Sequence, residues 1–268
     1  MSSSAGLVQN GKKSSNVQWP WAVVVFNKAL IAYVDNETFS DFEIGSLISE
    51  KHVIAAGSYV SKNESNKMIP IATDLIKTYF GVTSIDSYEN VNSLVLDGAE
   101  KIILHPEFGS IFSLKFANFA IIKLKTKVSF SQFISPVCLS SFTSDPYSLV
   151  GKFGYGVGYG YSANGKTKHR FHSPMRVRSK EDCDIVYDFS LGTAKDKRSL
   201  YFCAGGDGKN SACWSDHPLY MKINEKWYLH AFMQVAFNDG KGCKVDLPVL
   251  YEIAGHYYTF ILNEISKN

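Results

Sequence analysis

Short apolar runs alternating with turn residues constrain this 268-residue chain more than any other feature. Trp21-Ala22-Val23-Val24-Val25-Phe26, His52-Val53-Ile54-Ala55-Ala56, Glu100-Lys101-Ile102-Ile103-Leu104, Phe119-Ala120-Ile121-Ile122-Lys123-Leu124 and Trp227-Tyr228-Leu229-His230-Ala231-Phe232 all have strand length. They are rich in β-branched and aromatic side chains, which suit a pleated, half-buried surface, and Asn, Asp, Gly and Ser bound them. Many short strands at such spacing point to a barrel or sandwich. Ala254 to Ile265 breaks the pattern. There Tyr257, Tyr258, Ile261, Leu262 and Ile265 fall at helical spacing and predict a terminal amphipathic helix. An all-β body with a C-terminal α-helix is the fold class that patterning supports.

Hydrophobic residues make up 45% of the chain and charged residues 20%. A chain of this length and composition buries a large core without a metal or cofactor, and neither is expected. A formal net charge of +3 is too small to imply nucleic acid. No apolar run reaches the roughly 18 residues of a membrane span. The start, Met1-Ser2-Ser3-Ser4-Ala5-Gly6, lacks the apolar centre of a secretory leader. Asn36-Glu37-Thr38 and Asn63-Glu64-Ser65 make Asn36 and Asn63 glycosylation candidates. No Pro-, Gly- or Ser-rich run divides the sequence, so one domain over 1–268 is expected. The five cysteines read as two bridges plus one residue with an outside partner, or as five thiols in a reducing compartment.

A series of local motifs is more specific. Gly45-Ser46-Leu47-Ile48-Ser49 precedes Val53-Ile54-Ala55-Ala56. His105-Pro106-Glu107-Phe108 and Asn118-Phe119-Ala120-Ile121-Ile122-Lys123-Leu124 follow, then Ile134-Ser135-Pro136-Val137-Cys138-Leu139 and Val157-Gly158-Tyr159-Gly160. Cys203-Ala204-Gly205, Cys213 through Pro218-Leu219, and Pro248 to Tyr251 complete the set. In this order they resemble the trypsin-like serine proteases (peptidase S1 family), from about Gly6 to Ile265. The resemblance implies two six-stranded antiparallel β-barrels with the active site at their seam.

That chemistry needs a histidine base, an aspartate that orients it, a serine nucleophile and backbone N–H donors for the oxyanion. The resemblance places Ser58 at the histidine position (Gly57 if the count shifts by one residue) and Asn118 at the aspartate position. Neither Ser nor Gly acts as a base near neutral pH, and an amide carries no charge to stabilise an imidazolium. The nucleophile loop, Cys213-Trp214-Ser215-Asp216-His217-Pro218-Leu219, is two residues shorter than the family's. Counting back from Pro218 puts Ser215 at the serine position, and counting forward from Cys213 puts His217 there. Both counts lose the glycines that let the loop aim its N–H groups. Ala5-Gly6 stands before Leu7-Val8-Gln9-Asn10-Gly11 where the family has a basic cleavage residue. Ser211 falls at the base of the specificity pocket, and Val249 falls where the family has glycine. The expectation is a non-catalytic homologue and not an enzyme. The alternative is a degenerate hydrolase that uses Ser215.

The resemblance also implies bridges Cys183–Cys203 and Cys213–Cys243. It implies loss of a third bridge, whose positions hold Glu43 and Tyr59. It matches Cys138 to a residue that in many relatives bonds a segment upstream of the protease domain, as in a longer secreted precursor. The other reading of Cys138 is a buried free thiol. Extracellular location and a role as adaptor, cofactor or decoy for an active protease or its substrate follow from the same likeness. Lys166, Lys168, Arg170, Arg176, Arg178 and Lys180 form a basic run, with Arg176, Arg178 and Lys180 alternating as on one face of a strand. They are candidates for binding a sulfated glycan, and the competing reading is a solvated loop. Asp216-His217 falls short of a metal ligand set.

Overall fold

A computed structural model describes residues 8–9, 11–15, 17–34, 37–84, 93–111, 114–141, 145–162, 165–191, 199–209, 211–212, 217–237 and 243–267. The chain separates into two compact units, each built around one curled sheet.

The unit formed by residues 15–109, 117–137 and 261–268 holds a seven-stranded sheet. Its order in space is Ala99–Leu104, Ala120–Leu124, His52–Ala55, Glu37–Ser49, Ala22–Val34, Ile76–Phe80 and Leu94–Asp97, with every neighbour antiparallel. The apolar runs of the sequence are its strands. Val23, Val25, Leu47, Val53, Ile121 and Ile122 have no exposure. At Gly45 the strands run so close that a Cβ would stand 2.7 Å from the carbonyl oxygen of Ile54. Any side chain at Gly45 would force the two strands apart.

The unit formed by residues 1–14, 110–116 and 138–260 holds an eight-stranded sheet. Tyr201–Gly205, Pro248–Ile253, Lys226–Val235, Pro218–Ile223, Phe153–Ser162, Gly165–Arg176 and Lys12–Lys13 follow one another, and Cys138–Leu139 pairs in parallel with Lys226–Val235. Met175, Phe202, Leu219, Met221, Ala231, Val249 and Tyr251 form its main apolar cluster.

These are the two curled sheets and the short terminal helix of the trypsin fold. The terminal helix spans Tyr258–Ser266 after a 3-10 turn over Ala254–Tyr257, and buries Ile261. The strand counts differ from six and six because the two-residue strands Lys12–Lys13 and Cys138–Leu139 extend one sheet and Leu94–Asp97 extends the other. A second helix, Lys180–Leu191, replaces the strand-like alternation read into the basic run. The strand ends at Arg176, Arg178 bonds Asp182 one helical turn on (3.1 Å), and Lys180 opens the helix. Cys183, Val186 and Tyr187 sit at i, i+3 and i+4 and turn that helix inward. Cys183 is bridged to Cys203, with 5.7 Å between Cα atoms. No helix among the described residues is long and apolar enough to cross a membrane.

Candidate functional site

The turn after the His52–Ala55 strand positions the residues matched to the catalytic base. Tyr59 N donates to the Ala56 carbonyl and Val60 N to that of Gly57. A Cβ on Gly57 would lie 3.2 Å from Phe119 O and 3.3 Å from Phe119 N, so Gly57 packs tightly on that backbone. Ser58, half-buried, donates its N–H to Asn118 Oδ1 at 2.8 Å. Asn118 is 1% exposed. Its carbonyl oxygen therefore does what one oxygen of a carboxylate could do for this turn. Its amide nitrogen is a donor and offers no acceptor to an imidazole N–H.

Three more polar groups brace the same turn, and sequence reasoning assigns them no such role. Glu43 is buried and its Oε1 accepts from Ala56 N at 2.6 Å. Asn27 N donates to Tyr59 Oη at 3.1 Å, and Asn27 Nδ2 to the Tyr59 carbonyl at 2.8 Å. Glu43 and Tyr59 are the residues matched to the missing bridge, so hydrogen bonds now pin the turn at both of those positions. The signal available in sequence is the paired loss of two cysteines in favour of two hydrogen-bonding side chains. No imidazole sits in the turn, which reads Ala56-Gly57-Ser58-Tyr59-Val60. The histidine whose ring lies near Phe119, at 5.4 Å, is His105. Its Nδ1 accepts from Glu107 N within its own turn, and burial lowers its pKa.

The other unit carries the residues matched to the nucleophile and pocket. Cys213, Trp214, Ser215 and Asp216 lie outside the described residues. His217 is 1% exposed and its Nε2 lies 3.1 Å from Tyr251 Oη. It is held inside the fold by a hydroxyl, and burial raises the pKa of that phenol. Ser211 is buried and pairs with Gln9. Val249 is buried among Phe202, Leu219 and Tyr251. Cys243 is disulfide-bonded, and Cys213, its counterpart by resemblance, lies outside the described residues. Cys138 is an exposed free thiol, which removes the buried-thiol reading.

The basic run divides. Arg170 is 1% exposed and its charge is largely desolvated, which lowers its pKa. It does not belong to a surface for glycans, because its side chain is buried near Tyr159 and Tyr220, while the segment around Ser14 lies alongside its strand. Ser14 N donates to the Arg170 carbonyl, and Ser14 Oγ lies 3.1 Å from His172 Nδ1. Arg176 and Lys180 are exposed, Arg178 is tied to Asp182, and the side chains of Lys166 and Lys168 lie outside those described. Asn63 is exposed on the Ser61–Glu64 strand, while Asn36 lies outside the described residues. Among the described residues no group of three or more His, Cys, Asp or Glu is placed to hold a metal.

A family model described as Trypsin matches residues 8–217. Phenoloxidase-activating factor 1 of Holotrichia diomphalia is 27% identical over 97% of this chain and 70% of its own length. Phenoloxidase-activating enzyme of Bombyx mori is 26% identical over 96% of this chain and 60% of its own. Haptoglobin of Pongo abelii is 33% identical over 63% of this chain and 50% of its own. The chain thus spans well under the full length of these relatives, and only 26% of the serine protease gd of Drosophila melanogaster. Their names divide between a serine protease, two phenoloxidase activators and haptoglobin, so likeness alone does not decide activity.

Proposed function

The chain belongs to the trypsin family, and on that premise we propose that it is a non-catalytic member acting as a secreted binding or regulatory protein. The observation that carries this reading is the Ser58–Asn118 pair: a backbone N–H on an amide oxygen where the chemistry requires an imidazole on a carboxylate. A neutral amide and a serine hydroxyl supply neither the base nor its charge compensation. The shortened loop at Ser215 and the burial of Val249 in apolar packing support the same reading. So does His217, whose ring is engaged by Tyr251.

The partner proposed is an active protease or its substrate, by analogy with the phenoloxidase-activating relatives and the serine protease gd. Cys138, exposed on its strand, is the proposed attachment point for an upstream segment of a longer precursor, and Asn63 a glycosylation site. The purified chain is expected to release no chromophore from peptide amides with Arg, Phe or Ala before the scissile bond. The background rate should be identical in Ser215→Ala. Turnover that Ser215→Ala abolishes would establish the hydrolase reading instead.

A further inference from the structure

At its Phe153 end, one face of the paired Phe153–Ser162 and Gly165–Arg176 strands carries large side chains that the core does not bury, although Val157, Tyr159 and Arg170 further along that face are buried. Phe153 stands directly opposite Arg176, and Tyr155, two residues on, shares its face. The Trp227 ring meets Tyr155 edge-on at 5.4 Å. The other face of these strands is used up by packing: Gly154 and Met175 point inward, and a Cβ on Gly154 would stand 2.7 Å from the Leu219 side chain. Phe153 is consequently 50% exposed and nearby Val150 44%. Arg176 stands opposite Phe153 and Lys152 precedes it in the chain; both are exposed, and neither is in an ion pair among the described residues. No Asp or Glu occurs between Asp145 and Glu181. The nearby Lys222–Glu225 pair neutralises itself at 2.5 Å.

We propose that Phe153, Tyr155, Trp227 and Arg176, with Val150 and Lys152 at the rim, form a docking surface for an acidic, apolar-bearing segment of a protein partner. Exposed aromatic side chains beside an arginine are the composition in which binding energy concentrates at protein interfaces. Leaving a phenylalanine half in water forgoes stabilisation that only an apolar partner group recovers. With Glu225 already paired to Lys222, the exposed Lys152 and Arg176 select carboxylates and repel basic partners. A sulfated glycan would satisfy Lys152 and Arg176 but would gain nothing from Phe153 and Val150, so the face fits a protein segment. The inference rests on the binding role proposed above and specifies where that binding occurs.

Fluorescence anisotropy of a labelled peptide alternating Glu with Leu and Phe, beside a twin with every Glu replaced by Gln, tests it on the full chain. Saturable binding of the Glu peptide is expected, weakened about tenfold or more by Phe153→Ala and by Arg176→Glu, as for interface anchors. Thermal unfolding of both variants should match the parent, since both side chains are exposed. The proposal is overturned if the Gln twin binds equally or if nothing binds saturably. It is also overturned if a heparin oligosaccharide competes while Phe153→Ala has no effect, which would mark a polyanion contact. None of these outcomes depends on Ser215, so loss of this surface and discovery of catalysis would be told apart.

Discussion

Phe202→Ala is expected to destabilise the folded chain by about 3–5 kcal/mol, the cost of emptying a large aromatic site in a rigid core. Phe202 has no exposure and sits opposite Tyr251 across two paired strands, with the rings stacked at 5.8 Å and 22°. Met175, Leu219 and Met221 join the same cluster from other hydrogen-bonded strands, and Val177 does so from an isolated bridge to Ala204. Those strands cannot close on the void without giving up ladder bonds, so most of the cavity persists. Urea unfolding of the variant should show a midpoint shift with little change in slope. Phe130→Ala, at a site 52% exposed, should change stability by less than about 0.5 kcal/mol. Similar losses from both substitutions would mean that the cluster around Phe202 is not the core.

Acidification is the second large effect. His230 is fully buried beside Ser140, and burial pushes its pKa down to about 4. The folded state keeps the ring neutral, while the unfolded chain takes up its proton near the ordinary value of 6.5. Between those two values the unfolded state binds more protons, so stability falls as pH drops from 6.5 towards 4. At about 1.4 kcal/mol per unit, the full window is worth roughly 3 kcal/mol. His52, His105, His172 and His256 are lowered first of all by burial and act in the same direction. Glu100, held at about 2 by Lys123 and Lys51, adds its own loss only at more acid pH. Urea unfolding at pH 4.5 and pH 7 checks the sign. The parent should be markedly weaker at the lower pH, and His230→Gln should show a flatter dependence. A parent more stable at pH 4.5 would contradict the burial of a neutral ring.

The sheets are legible because their signal is local. Runs such as Val23–Phe26 and Phe119–Leu124 combine β-branched residues with flanking turns, and the structure buries nearly all of them. The terminal helix is legible from Tyr257 and Ile261, although Leu262, 37% exposed, does not share their inward face. The helix over Lys180–Leu191 escapes sequence reading because its basic entry mimics strand alternation. The spacing of Cys183, Val186 and Tyr187, with Glu181 and Asp182 in the first turn, is the available signal. The position of Arg170 is not legible at all. Arg170, His172 and Arg176 share one strand face, but only one end of it is buried, and one of the bonds that holds that end comes from Ser14, 158 positions from His172. At the site, Asn118 and Ser58 are identified by motif matching. The bracing of their turn by Asn27, Glu43 and Tyr59 depends on contacts between separate strands that no local pattern encodes.

The claim that this fold has no working nucleophile is tested most directly with a fluorophosphonate probe, read by intact mass on the native chain beside trypsin. No adduct is expected under conditions that label trypsin fully, because Ser58 and Asn118 provide no base to activate a serine. A stoichiometric adduct mapped to Ser215 would contradict the account, since it would require a serine activated by some other group in this chain.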